Sequence, residues 1–278
     1  MKRVYLTTHN LALIPQITSG LNSLGYCVEP ATVKTKFERY DTVISYTLWQ
    51  KGSRRKIINR ATEAGATVFC LDMGWLRHPS IPYWQLAKRD DNSVAINGWG
   101  SFPVGDSSRW NNSDFNIKPW RTTGDHILLC ANKGDDYKHN PDINHTSEWA
   151  DEIITLIRQH TDRPIHFRAH PKGKVKCFPL HNTPDVIIDP TETLDQSLEN
   201  AWCTVVYGSS VASHSILSGV PVIYQSPRIM CRELASNDIS TIENPIMPDR
   251  QPVLERLIWS QWTEEEIANG TAWKHYGF

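Results

Sequence analysis

Apolar and polar positions along this chain switch between the period of a strand and that of a helix. Arg3 to Thr7 is a short β-rich run, Leu11 to Leu24 has helical spacing, and Asp41 to Tyr46 is apolar and β-branched. Ser53 to Ala64 predicts a helix that opens on Ser, and Thr67 to Leu71 a buried strand. From residue 126 the alternation starts again, with strands at His126–Cys130, Ile165–Arg168 and Val186–Ile188 and helices at Thr146–His160 and Leu194–Asn200. A strand at Thr204–Tyr207, a short helix to Leu217 and a strand at Pro221–Tyr224 follow, and the tail (252–262, 263–269) reads as helical, with Thr263 and Glu266 spaced as a capping box. Strands alternating with helices predict parallel sheets covered by helices, hence an α/β fold. Between the two series, Gly98 to Gly124 is crowded with Gly, Pro, Asn and Ser and predicts an interdomain segment. The expected domains are therefore 1–122, including the segment at about 98–124, and 123–278 with the C-terminal helices.

Length fits this division, since 278 residues accommodate two Rossmann-sized units of roughly 120 residues each. Lys plus Arg total 29 against 30 Asp plus Glu, so net charge offers no global attraction to nucleic acid or membrane and any such claim rests on local patches. No apolar run approaches the roughly 20 residues of a membrane span, and the N-terminus passes directly into a strand pattern, so a cytoplasmic protein is expected. The six cysteines are scattered without a Cys-x-x-Cys pair, which predicts reduced thiols packed as small hydrophobes.

Two segments carry candidate chemistry. Val205 to Ile223 reads as strand, small-residue turn, helix and strand, and Gly208, Ser209 and Ser210 leave room for a phosphate to meet the N–H groups that open the helix. Upstream, Ile165 to Lys172 is a strand that ends in Arg168, His170 and Lys172. Ligands of parallel sheets collect at the carboxyl ends of strands, so both segments are expected on one crevice. The alternatives are a surface ion pair for Arg168 and an ordinary helix cap for the two serines.

The stretches Phe167–Lys172 (Arg-Ala-His-Pro-Lys) and Tyr207–Val222 (Tyr-Gly-Ser-Ser-Val-Ala-Ser-His-Ser-Ile-Leu-Ser-Gly-Val-Pro-Val) resemble the donor-binding motifs of capsule-polysaccharide-type glycosyltransferases and of phage-encoded, DNA-modifying relatives. The resemblance implies a GT-B-like enzyme, two Rossmann-like domains facing a cleft, with a nucleotide-sugar as co-substrate and neither metal nor cofactor. It implies that Arg168 and Lys172 neutralise the diphosphate, that His170 donates to a phosphate oxygen or fixes its loop, and that Ser209 and Ser210 add further donors. His214, one turn after Ser210, is a candidate donor contact or a packed His. Glu233 suits a ribose or sugar hydroxyl, or is a solvated charge. Lys133 lines the crevice or belongs to a turn.

An inverting enzyme needs a general base for the acceptor hydroxyl. Asp72, at the end of a strand, leads, and His9 follows; either alternatively caps a helix, and a retaining outcome needs no such base. Among eleven tryptophans, Trp75, Trp84, Trp99, Trp110 and Trp120 fall in predicted loops, where they either stack on sugars or bases or pack a domain interface, whereas Trp149, Trp202, Trp259 and Trp262 read as core. Arg54 and Arg55, within a basic run at a helix start, either track a phosphate backbone or form a solvated face. Trp75, Trp99, Arg54 and Arg55 are the expected acceptor contacts. The first expected acceptor is a hydroxymethylated pyrimidine in DNA, which must be exposed from its stack; a surface or capsular glycan is the alternative. Outside transfer chemistry stand a non-catalytic nucleotide-binding module and a nucleotide-sugar epimerase. Donor, anomeric outcome and oligomeric state are open in the sequence.

Overall fold

The computed structural model describes residues 2–7, 12–46, 52–78, 80–89, 102–132, 146–171, 186–226 and 229–278. In chain order the elements are β1 (Lys2–Leu6), α1 (Ile14–Ser23), β2 (Tyr26–Pro30), β3 (Thr42–Tyr46), α2 (Ser53–Glu63), β4 (Thr67–Met73), β5 (Tyr83–Lys88), α3 (Ser108–Asn111), β6 (His126–Cys130), α4 (Thr146–Arg158), β7 (Ile165–Arg168), β8 (Val186–Ile188), α5 (Leu194–Leu198), β9 (Ala201–Val206), α6 (Val211–Leu217), β10 (Val222–Tyr224), α7 (Gln251–Leu257), β11 (Gln261–Thr263), α8 (Glu264–Ala268) and α9 (Thr271–His275). They form a mixed α/β structure with two sheets, in two compact units. No helix among the described residues is long and apolar enough to cross a membrane.

The first unit comprises Met1–Asp114 and Leu254–Phe278. Its sheet has the order β11-β5-β4-β3-β1-β2, with β1, β2, β3 and β4 parallel and β5 antiparallel to both β4 and β11. The sheet is thus not purely parallel as expected. The reason is β5, which returns beside β4 after a short loop and needs no helical crossover. The C-terminal elements pack here and not on the second half: Trp262 and Trp273 are fully buried with Val4, Leu13, Ile17 and Leu86. Gly20 lets α8 approach α1, because a Cβ at that position would lie 2.0 Å from the Ile267 carbonyl oxygen. Residues 252–262, expected to be helical, are so through α7 and a 3-10 turn at Ile258–Ser260, and only Gln261 and Trp262 belong instead to β11. The Thr263–Glu266 capping box is formed on α8.

The second unit, Phe115–Val253, holds a five-stranded, all-parallel sheet of order β10-β9-β6-β7-β8. Ile127, Leu129, Ile165, Phe167, Cys203 and Val205 form its buried face with Trp149, Ile153 and Ile157 of α4. The expected boundary near 122 moves to 114/115. Lys118 N donates to Leu217 O at 2.9 Å and Arg121 N to Gly219 O at 2.7 Å, which ties residues 115–121 to the end of α6. Arg250 completes this join, lying 4.0 Å from the Trp120 ring centroid while donating to the carbonyls of Ile216 and Lys118 at 2.6 Å. Arg109, by contrast, anchors α3 in the first unit. The described cysteines are free, and burial pushes the thiols of Cys130, Cys203 and Cys231 up to about 12.

Candidate active site

In a parallel sheet every strand ends at the same edge. In the second unit the chain runs from β6 outward through β7 and β8, then returns to the other side of β6 for β9 and β10. The crossover direction therefore reverses between β6 and β9, which opens a crevice where ligands of doubly wound sheets bind. Cys130 of β6 is level with Arg168 on one side and Val206 on the other. The two flanking strand ends therefore stand about 10 Å apart, two inter-strand spacings. The segments beyond them, Ala169–His170 and Tyr207–Ser210, occupy one edge, as expected.

Within this edge the expected groups divide. The guanidinium of Arg168 leans toward β8 and α5: Nη1 donates to Asp189 Oδ2 at 2.8 Å, Ser197 Oγ at 2.7 Å and Thr191 O at 3.0 Å, and Nη2 to Glu192 O at 3.2 Å. Asp189 is 0 % exposed at its side chain and Arg168 is 14 % exposed. Burial raises the Asp189 pKa, but bonds from Ser197, Arg168 and Thr191 outweigh it and hold the carboxyl below its usual range. Arg168 is thus an ion-paired strut at the strand end, in a buried pair and not the surface pair given as its alternative, and its charge is directed away from the serine turn.

Gly208 is also used by the protein. A Cβ there would meet Ser226 Cβ at 2.9 Å, so the missing side chain admits the segment after β10. Ser209 Oγ accepts from Val211 N at 3.3 Å, and its carbonyl accepts from Ala212 N at 3.1 Å. Ser210 occupies the N-cap of α6 without a side-chain cap bond and is partly exposed. His170 is half-buried just past β7 and His214 half-buried on α6, while Glu233 is exposed on a 3-10 turn at Arg232–Leu234. Lys133 and Lys172 lie outside the described residues.

Two further side chains belong to this region: Asn132, which has no role in the sequence pattern, and Trp149, which is core as expected. Asn132 lies two residues past the end of β6, and its side-chain oxygen is buried with no hydrogen-bond partner among the described residues; the same holds for the indole N–H of Trp149. Trp149 meets the ring of Tyr207 edge-on at 6.1 Å, which ties α4 to the segment after β9. Asn132 sits immediately before Lys133, and its position after the apolar run Ile127–Ala131 is the available signal.

In the first unit Asp72 lies within β4, opposite Gln85, because the strand continues to Met73. Its Oδ1 accepts from Met73 N at 2.7 Å. Burial and then the nearby Asp72 charge raise the pKa of Tyr46. Trp75 is 2 % exposed and its indole N–H donates to Ser260 Oγ at 2.9 Å, so it is core and not an acceptor platform. Trp84 and Trp110, expected in loops, are likewise buried, on β5 and α3. Arg54 and Arg55 fall in the first turn of α2, a helix whose buried face is Ile57, Ile58 and Ala61; Arg55 is exposed, as on a solvated face. His9 and Trp99 lie outside the described residues.

No protein-family model and no curated protein matches the sequence. Among solved structures the chain is similar to two from Thermosulfurimonas dismutans. One is the KpsC beta Kdo 2,4 transferase, at 14 % identity and a TM-score of 0.55 over 86 % of this chain and 88 % of that one. The other is the KpsC beta Kdo 2,7 transferase, at 13 % identity and a TM-score of 0.52 over 98 % of this chain and 99 % of that one. The likeness is one of fold, spans both units and includes nearly the whole length of each neighbour.

Proposed function

We propose that this chain is a GT-B-like glycosyltransferase that moves a sugar from a nucleotide-sugar to a hydroxyl of a surface or capsular glycan. The observation that carries the reading is the near full-length fold likeness to two Kdo transferases, with a crossover reversal between β6 and β9 in the unit expected to hold the donor. The capsular-type resemblance of the Arg-Ala-His-Pro-Lys and Tyr-Gly-Ser-Ser segments points the same way. The DNA-base acceptor has lost its support: Trp75 is buried, Arg55 stands on a solvated helix face, and both neighbours are Kdo transferases.

In this reading the second unit holds the donor. Departure of the nucleotide puts negative charge on phosphate while the anomeric carbon becomes cationic, so hydrogen-bond donors fixed at the phosphates lower the barrier. Ser209, Ser210 and His170 are assigned as donors, Lys133 and Lys172 as the cations, and Arg168 as the residue that positions the end of β7. Glu233 and His214 are assigned to the donor's hydroxyls. The first unit takes the acceptor, and Asp72 or His9 removes its proton if the outcome is inverting. The chemistry is proposed to need no metal or cofactor, so its rate is expected to survive chelation by EDTA.

The test is incubation with a panel of nucleotide-sugars, including nucleotide-activated Kdo, and with either oligosaccharides or hydroxymethylated duplex DNA, read as a sugar mass increment. A gain on oligosaccharide is expected. A gain on DNA alone would restore the other acceptor, sugar conversion without an acceptor would indicate an epimerase, and nucleotide binding without turnover would leave a binding module.

A further inference from the structure

Strand alternation sets His126, Leu128 and Cys130 of β6 on one face of the second sheet, in register with His166 and Arg168 of β7. Ile127, Leu129, Ile165 and Phe167 take the opposite face, against α4. Histidines inside a sheet are costly unless their polar atoms and charge are accommodated. The two rings lie on each other, 3.9 Å between centroids and 14° between planes. His126 is only 6 % exposed, and His166 is half-buried.

The stack is tied to α5. A carbonyl can only accept, so Nε2 of His126 carries a proton and donates to Ser197 O at 3.3 Å. Ser197 is buried, and its carbonyl is among the last four of the helix, which lack intrahelical partners. Arg121 Nη1 takes the next carbonyl, Leu198 O, at 2.8 Å. The Ser197 hydroxyl meanwhile joins Arg168, Asp189 and Thr191. One residue of α5 therefore links the histidine stack to the ion pair that fixes the end of β7.

Protonation acts on this arrangement with a definite sign. Rings stacked this closely leave no room for water, so two imidazolium charges there repel unscreened. Among the described residues the charges facing His126 are His166 on β7, Asp189 after β8 and Asp125 before β6. Asp189 is already paired with Arg168. Burial, and then the His166 charge, hold His126 below the ordinary histidine range, against the Ser197 bond and the two aspartates. In the opened chain both histidines titrate near 6.5, so the folded pair carries fewer protons than the opened one just below that pH. The stabilisation is thus present above about 6.5 and is lost as pH falls through the folded value. We infer that His126 and His166 form a proton-operated latch on α5: mild acid opens residues 189–199 locally and, through Ser197 and Arg168, loosens the end of β7. The latch does not rest on the proposed function; only the reading of the loosened edge as a donor site does.

Hydrogen exchange of the full chain at pH 7.5 and 5.5, expressed as protection factors, reads the opening, and NMR titration of the histidines reads the protonation. Both pH values lie above the carboxylate window near 4. Protection in 189–199 is expected to fall by about tenfold per pH unit between 6.5 and the His126 midpoint, because opening takes up one proton, while β9 keeps its protection. His126 should titrate below 6.5. His166→Phe keeps a ring on the stack without its charge, so it should raise the His126 midpoint and weaken the acid effect on 189–199. Equal protection of 189–199 at the two pH values, an equal fall in β9, a His126 midpoint at or above 6.5, or an unmoved midpoint in His166→Phe each overturns the inference. The exchange comparison uses the parent chain alone and decides the matter even where the variant fails to fold. It involves no nucleotide, so a failed donor reading leaves its result in place.

Discussion

Arg168 and Asp189 illustrate how a single residue's role depends on what lies beside it. The carboxylate is wholly buried and the guanidinium nearly so, which makes the pair costly to break from one side only. Arg168→Met is expected to lower stability by about 3 kcal/mol in urea unfolding, because Asp189 is left charged and unpaired. Arg168→Met with Asp189→Leu should recover most of that loss. Nucleotide thermal shift in the recovered double variant then reports on ligand binding alone, and a persisting shift confines Arg168 to positioning.

Acid sensitivity also belongs to this scale. Asp189, Glu243 and Glu266 are each held below the usual carboxylate range against the effect of burial, by Arg168, Arg163 and Arg109 with neighbouring hydroxyl groups. Their folded pKa values lie below the unfolded ones, so in the window between them the unfolded chain binds more protons. The stabilisation is present above the unfolded values, about 4, and is lost as pH falls through the folded values. Melting temperature should therefore decline steeply below about pH 4. Glu266→Gln should show a shallower acid slope, at the expense of lower stability near neutrality.

Among the elements, α8 is short and depends on its cap and on its contact with α1. Thr263 accepts from Glu266 N while the Glu266 carboxylate accepts from Thr263 N, which satisfies donors that a five-residue helix cannot satisfy internally. Thr263→Ala is expected to cost about 1 kcal/mol. Gly20→Ala should cost about 1–3 kcal/mol, since the Ile267 carbonyl and the Trp273 ring occupy the space its Cβ needs. Chemical denaturation of both variants measures these losses. The strands most legible from sequence, β6, β7 and β8, have the predicted limits because turn residues bound short apolar runs. β5 and β11 are not legible in the sequence: Tyr-Trp-Gln-Leu-Ala-Lys has no clean alternation, and three residues of β11 between helices carry too little periodic signal.

On the scale of the whole molecule, the chain leaves its first unit at residue 114 and returns to it at residue 254. The returning segment contributes Trp262, Trp273 and Ile267 to the core built on Val4, Leu13 and Leu21. Truncation after Val253 should thus unsettle the first unit selectively. Hydrogen exchange is expected to accelerate in α1 and β5 while β6 and β9 keep their protection. Equal acceleration in both units would contradict the separation.

What the amino-acid order fixed by itself is local: the alternation of strands and helices, the α/β class, the capping box, and the placing of the Arg-Ala-His-Pro and Gly-Ser-Ser segments at strand ends. Each follows from backbone geometry and neighbours a few residues apart. The direction of the Arg168 guanidinium, the burial of Trp75, the return of residues 254–278 and the stacking of His126 on His166 were decided only in three dimensions. Each depends on partners far along the chain, as with Trp75 and Ser260 or Arg109 and Glu266, and a linear pattern does not encode which distant side chain will fill a space.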